Sequence, residues 1–134
     1  MTRRLMLIAL LSVSVVGLAA RADEQAMRNV PRISIDEVKA LMAKKQVILV
    51  DVRDPQSFAE GHMPGALNVP FDHLPNHVDA WKKDARLLIT YCACTNETTA
   101  ARAVVDMNAF GITNAKALLG GWNEWVKRGE KIER

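Results

Sequence analysis

Short, continuously apolar runs alternate along this chain with stretches that carry helical signals, and that alternation limits the fold more than any other feature. Val47, Ile48, Leu49 and Val50 form one unbroken run, and Leu87, Leu88, Ile89, Thr90 and Tyr91 form a second. A strand covered on one face alternates apolar with polar residues, so runs without alternation suit strands buried on both faces. Ser34 and Glu37 stand at the spacing of a capping box, in which the hydroxyl accepts a first-turn N–H and the glutamate reaches back. The helix it opens is expected over residues 34–44, with Ile35, Val38, Leu41 and Met42 facing inward. One or two helical turns are expected over 56–60, then a turn cluster over 61–65 leading into an extended piece over 66–69. Further helices are expected over 72–81 and 97–110, the second ending at Gly111 as a left-handed cap. The second long strand covers 86–91. A short strand over 115–119, a Gly120-Gly121 turn and a last helix over 122–128 complete the pattern. Strands alternating with helices predict an α/β domain with a mainly parallel sheet.

The first 22 residues are read separately. Arg3 and Arg4 precede an uncharged, mostly apolar run over residues 5–20, and Ala20-Arg21-Ala22 fits an A-x-A cleavage site. This is the layout of a secretory signal peptide over 1–22, with export to a bacterial periplasm as the expected location. The run is short against the roughly 20 apolar residues of a membrane span, and an uncleaved anchor is the alternative. The whole chain holds 18 basic and 15 acidic residues; residues 1–22 hold three of the basic ones and none of the acidic, so the remainder balances at zero. That balance gives no reason to expect nucleic acid or an anionic membrane as a partner. Residues 23–32 read as a leader, and residues 33–130 as one domain with one core.

Cys92 and Cys94 are the only cysteines, and they fall where the second apolar run gives way to the helix-like stretch. There a sulfur faces free backbone N–H groups and the positive end of a helix dipole, which both stabilise the reactive thiolate. A structural bridge is the usual reading of paired cysteines in an exported protein. Closing so small a loop, however, removes little chain entropy. A bridge also requires Cα atoms within roughly 4.4–6.8 Å, which residues two apart reach only in a bent backbone. Such a bridge suits a redox-controlled site. His73 and His77 share a helix face at metal-binding spacing, but no third ligand accompanies them, and a solvated face is the simpler reading. No metal and no cofactor are expected.

Four stretches together resemble the rhodanese-like (sulfurtransferase) family: Ile48-Leu-Val-Asp-Val-Arg53; Phe58-Ala-Glu-Gly-His-Met-Pro-Gly-Ala-Leu-Asn68 with Pro70; Leu88-Ile-Thr-Tyr-Cys92; and Gly120-Gly-Trp122 with Trp125. The resemblance implies a central, mainly parallel β-sheet flanked by helices on both sides. It also implies a mechanism in which Cys92, directly after the strand, takes sulfane sulfur from a donor as a persulfide. The sulfur then passes to a thiophilic acceptor, a thiol or cyanide. Ala93, Cys94, Thr95, Asn96, Glu97 and Thr98 would form the active-site loop, whose successive N–H groups suit an anionic persulfide. Asp51, Arg53 and His62 would support the strand end and the neighbouring turn.

Two departures from the family pattern bear on function. Many members carry glycine at the place of Thr95 and arginine at the place of Glu97. A glutamate there repels an anionic donor by about 1 kcal/mol or more, or else serves only to compensate the helix dipole and cap it. Either way thiosulfate is a doubtful donor, and an uncharged or bulkier one gains. Cys94 is read as a resolving thiol or as a loop filler. The main reading is a sulfurtransferase modulated by Cys94, partnered by a small sulfur donor and by a thiol-reducing or sulfur-accepting protein. The alternative is a non-enzymatic sulfur carrier or redox-responsive module on the same fold.

Overall fold

A computed structural model describes the backbone of residues 2–134 and the side chains from residue 15 onward. Arg3, Arg4 and most of the apolar run of the expected signal peptide lie outside the described side chains. Among the described residues no helix is long and apolar enough to cross a membrane.

The two apolar runs form the middle of a five-stranded sheet in the order β1-β5-β4-β2-β3. β2 (Val47–Asp51) and β4 (Leu87–Tyr91) run parallel, with Val47 opposite Leu87 and Asp51 opposite Tyr91. β5 (Ala115–Leu118) lies beside β4 and β3 (Leu67–Asn68) beside β2, and every strand pair is parallel. β1 (Arg32–Ile33), paired with β5, was not foreseen, because two residues are too short to display a period.

Alternate residues of the central strands enter two separate cores. Ile48, Val50 and Leu88 pack with Trp81 and with Ala100, Val104 and Met107 of α5 (Thr98–Ala109). Leu49, Ile89 and Tyr91 pack on the other side with Val38 of α2 (Ile35–Ala43) and Trp125 of α6 (Gly121–Lys127). Phe58 of α3 (Pro55–Glu60) lies against that second core. The fold is the expected α/β one, with helices on both faces of the sheet. Thr90, fully buried in β4, satisfies its hydroxyl by donating to the Ala100 carbonyl at 2.9 Å, which ties the central strand to α5.

The capping box at Ser34 is present in both directions and starts α2 where expected. The single helix expected over 72–81 is instead a 3₁₀ segment, Phe71–His77, followed by the short α4 (Val78–Lys82). Pro75 is the reason, since it has no N–H to donate and its ring clashes with the preceding turn of an α-helix. His77 stacks on Trp81 with ring centroids 5.1 Å apart. The leader is helical through Arg28, as the end of α1 (Thr2–Arg28). Asp23 pairs with Arg102 of α5 at 2.7 Å, Met27 packs against the α5-side core, and Val30 is buried. At the other terminus Glu133 exchanges backbone hydrogen bonds with His62, both at 2.9 Å.

Candidate active site

Parallel α/β sheets place their ligands outside the carboxyl ends of the strands. Here the ends of β2 and β4 lie side by side. β4 runs out into Cys92, whose side chain is buried while Ala93 after it is exposed. The first turn of α6 holds this exit. Trp122 N–H donates to the Cys92 carbonyl at 2.9 Å, and the Asn123 side-chain amide donates to the Ala93 carbonyl at 3.1 Å. Gly121 makes that approach feasible: a Cβ built on it would sit 2.4 Å from the Cys92 oxygen, and its φ of +53° disfavours any side chain.

Beyond Cys94 the chain turns sharply. Asn96 and Glu97 are both left-handed, with φ of 55° and 53°, although neither is glycine. Cys92 and Cys94 have Cα atoms 5.6 Å apart and are joined as a disulfide. Thr99, in the first turn of α5, donates its N–H to the Cys94 sulfur at 3.3 Å. That sulfur therefore lies at the positive end of a twelve-residue helix. Thr98 donates from its hydroxyl to the Thr95 carbonyl at 2.8 Å, closing the loop on itself. Thr95, Asn96 and Thr98 are exposed and Cys94 is half-buried.

Glu97 differs from expectation. It occupies the position before α5, but its left-handed backbone directs the carboxylate away from the helix, and it makes no capping hydrogen bond. Its two oxygens instead accept the Gly120 N–H at 2.8 Å and Arg32 Nε at 3.2 Å. Arg32 also donates to the Val30 carbonyl at 2.9 Å. The capping role is thus corrected: the carboxylate links the loop to β1 and to the turn before α6, and Arg32 neutralises its charge. Arg102 on α5 is likewise engaged, by Asp23 and Asp106. A cleft of about 550 Å³ opens beside the loop, between Met27 and Arg28 of α1 and Asn96 and Thr98.

The end of β2 is built differently. Asp51 is fully buried and takes a forked ion pair from Arg53, with Nε at 2.9 Å and Nη2 at 2.6 Å. Nη2 also donates to the Gly61 carbonyl at 2.7 Å, and the guanidinium lies 4.5 Å over the Trp122 ring. Burial works against the Arg53 charge, yet the hydrogen bonds and charge of Asp51 outweigh it and raise the guanidinium pKa. Burial, reinforced by the Asp51 charge, pushes the Tyr91 phenol well above its ordinary value. The neutral Tyr91 oxygen accepts the Met63 N–H at 3.1 Å. His62 stacks on Phe58 at 3.7 Å between ring centroids and sets Nδ1 2.8 Å from the Phe58 carbonyl oxygen.

The rhodanese-like domain pattern matches residues 34–128. The chain belongs to the rhodanese-like family. It is 30% identical over 125 residues to the thiosulfate:glutathione sulfurtransferase of Saccharomyces cerevisiae, covering 81% of this chain and 86% of that protein. It is 34% identical over 101 residues to the thiosulfate sulfurtransferase GlpE of Pseudomonas entomophila, covering 74% and 87%. The solved structure of the human single-domain sulfurtransferase TSTD1 shares the fold, with a TM-score of 0.63 at 24% identity over 75% of this chain and 98% of that one. Family and relatives support sulfurtransferase activity in the broad sense.

Within this rhodanese-like domain the expected loop, residues 93–98, follows Cys92 and carries the Cys94 half of the disulfide, and Asp51, Arg53 and His62 lie on the adjacent strand end and turn. His73 and His77 are elsewhere, and among the described residues no three potential ligands gather as a metal site. Sequence reasoning missed Arg32, Thr99 and Asn123. Arg32 and Asn123 reach the loop from distant parts of the chain, and Thr99 acts through its backbone, which carries no residue-type signal. Gly121 was visible as half of a glycine pair, but its contact with Cys92 was not.

Proposed function

We propose that this rhodanese-like protein is an exported sulfurtransferase that carries sulfane sulfur as a persulfide on Cys92. The observation that carries the reading is the buried Cys92 sulfur at the exit of β4, bonded to a partner that accepts an N–H from the first turn of α5. A reducing dithiol protein opens the disulfide and is itself oxidised, leaving Cys92 and Cys94 as thiols. The Cys92 thiolate attacks the outer sulfur of the donor, an S–S bond forms, and the donor leaves as sulfite or as a thiolate. An acceptor thiolate or cyanide then takes that sulfur and restores Cys92. Cys94 acts as the resolving thiol: attack on the Cys92 Sγ expels hydrosulfide and reforms the disulfide, a reversible exchange that runs this way when free sulfide is scarce.

Among the described residues the arginines beside the loop are all paired, Arg28 with Glu24, Arg32 with Glu97 and Arg102 with Asp23 and Asp106, which favours an uncharged or singly charged donor over thiosulfate. The signal-peptide pattern supports a periplasmic location, and N-terminal sequencing of the exported form tests cleavage after Ala22. The disulfide also favours a second reading, a redox-responsive module that passes sulfur stoichiometrically to one protein partner. Intact-mass measurement of reduced wild type, Cys92→Ser and Cys94→Ser after exposure to sulfane-sulfur donors tests the main reading. Cys94→Ser should gain one sulfur and Cys92→Ser none, while wild type should gain one sulfur that Cys94 then releases as hydrosulfide, leaving the disulfide; a Cys92→Ser variant that still loads and turns over sinks it. Negligible turnover with small acceptors, beside stoichiometric transfer to a protein, would favour the second reading.

A further inference from the structure

The sulfurtransferase reading uses the reduced pair, whereas in the structure the pair is oxidised. We propose that the oxidised site has an activity of its own: hydrosulfide attacks the Cys92–Cys94 disulfide and is oxidised to sulfane sulfur on Cys92. The proposal rests on the reading of Cys92 as the persulfide carrier and names a further sulfur source for it.

Three features of the site select this chemistry. The electrophile is built in, because Cys92 and Cys94 are bonded to each other. Cys92 is only 3% exposed, so the attacking nucleophile must be small. The described arginines beside the loop are all held by carboxylates, Arg28 by Glu24, Arg32 by Glu97, and Arg102 by Asp23 and Asp106. A bulky or doubly charged anion finds no unpaired arginine there, while a small monoanion can use the backbone donors at the start of α5. Hydrosulfide meets both conditions.

Direction follows from the leaving group. In thiol–disulfide exchange the better-stabilised thiolate departs faster. Cys94 Sγ accepts the Thr99 N–H at 3.3 Å at the positive end of α5, and the Cys92 sulfur has no such donor among the described hydrogen bonds. Attack therefore falls on Cys92 Sγ. The sulfide–Cys92 bond forms, the Cys92–Cys94 bond breaks, and its electron pair stays on Cys94 as thiolate. Hydrosulfide plus disulfide yields a Cys92 persulfide and a Cys94 thiolate, with the hydrosulfide proton retained or released to water. The disulfide is the oxidant, so the step needs no other. Once an acceptor thiol removes the sulfane sulfur, a protein disulfide of the dithiol-oxidising class must reoxidise the pair before a second round.

The test uses the full chain, oxidised and freed of small thiols, mixed anaerobically with sodium sulfide and followed by intact mass and electrophile trapping with peptide mapping. The expected result is a gain of one hydrogen sulfide, a trapped persulfide on Cys92 and a newly alkylated thiol on Cys94. Cys94→Ser has no internal disulfide for hydrosulfide to attack and should gain nothing from sulfide. An unchanged oxidised mass, a persulfide on Cys94, or equal sulfide loading of Cys94→Ser each overturns the proposal. Reduced wild type given a sulfane donor is measured alongside. Loading there without loading by sulfide defeats this proposal alone, whereas failure in both defeats the sulfurtransferase reading too.

Discussion

β2 and β4 are neighbours of equal length, parallel and in register, yet their ends do opposite things. At the end of β2, Asp51 is enclosed and every one of its strong partners is supplied: Arg53 forks onto it, and Arg53 is held in turn by the Gly61 carbonyl and the Trp122 ring. At the end of β4 the chain bends through two left-handed residues and leaves the Cys92–Cys94 sulfur bond beside exposed backbone. Position at the carboxyl end of a parallel sheet is therefore not enough to make a site. A charge whose partners are complete is held in place, whereas the sulfur bond has, among the described hydrogen bonds, an N–H donor on its Cys94 side only, the asymmetry on which the proposed chemistry depends.

The contrast is broken most completely by Cys92→Ser, which should abolish sulfur loading from any donor while the domain stays folded by circular dichroism. Asp51→Ala attacks the other strand end. It strands the Arg53 guanidinium in a site where it is 9% exposed and should cost about 3–5 kcal/mol of unfolding free energy, measured by urea denaturation. A loss under about 1 kcal/mol would mean that the β2 end is less enclosed than its geometry implies. Gly121→Ala joins the two regions, since its new Cβ would press on the Cys92 carbonyl from the turn that also carries Trp122. It should destabilise by about 1–3 kcal/mol and slow loading of Cys92 beyond what the folded fraction explains.

Glu97→Gln is the mildest change. The amide oxygen can still accept the Gly120 N–H, but Arg32 loses its counter-charge. Stability should fall by about 0.5–1 kcal/mol, and use of thiosulfate relative to an uncharged donor should rise as Arg32 becomes available. Unchanged donor preference would remove Glu97 from any account of specificity.

Much of the fold was legible because its signals are local. The capping box joins residues three apart, the buried runs announce themselves by lack of alternation, and the motif at Cys92 is continuous in sequence. Two expectations failed where a local rule was under-weighted or a distant partner was decisive. Pro75 breaks the 72–81 helix by a rule written in the residue itself, against the helical pattern around it. Glu97 looked like a helix cap because capping is judged from neighbours, whereas its partners Arg32 and Gly120 lie 65 and 23 residues away.

By itself, the sequence determined the alternation of strands and helices, the family and the identity of the two sulfurs. Tertiary structure decided how those sulfurs are inequivalent: Cys92 under α6, Cys94 against Thr99, and Glu97 spent on Arg32 rather than on the helix or a substrate. The physical reason is range. Propensity, capping and periodicity act over a few residues, but the environment of a side chain is set by which distant strands the topology brings beside it, and that is known only once the sheet order is known.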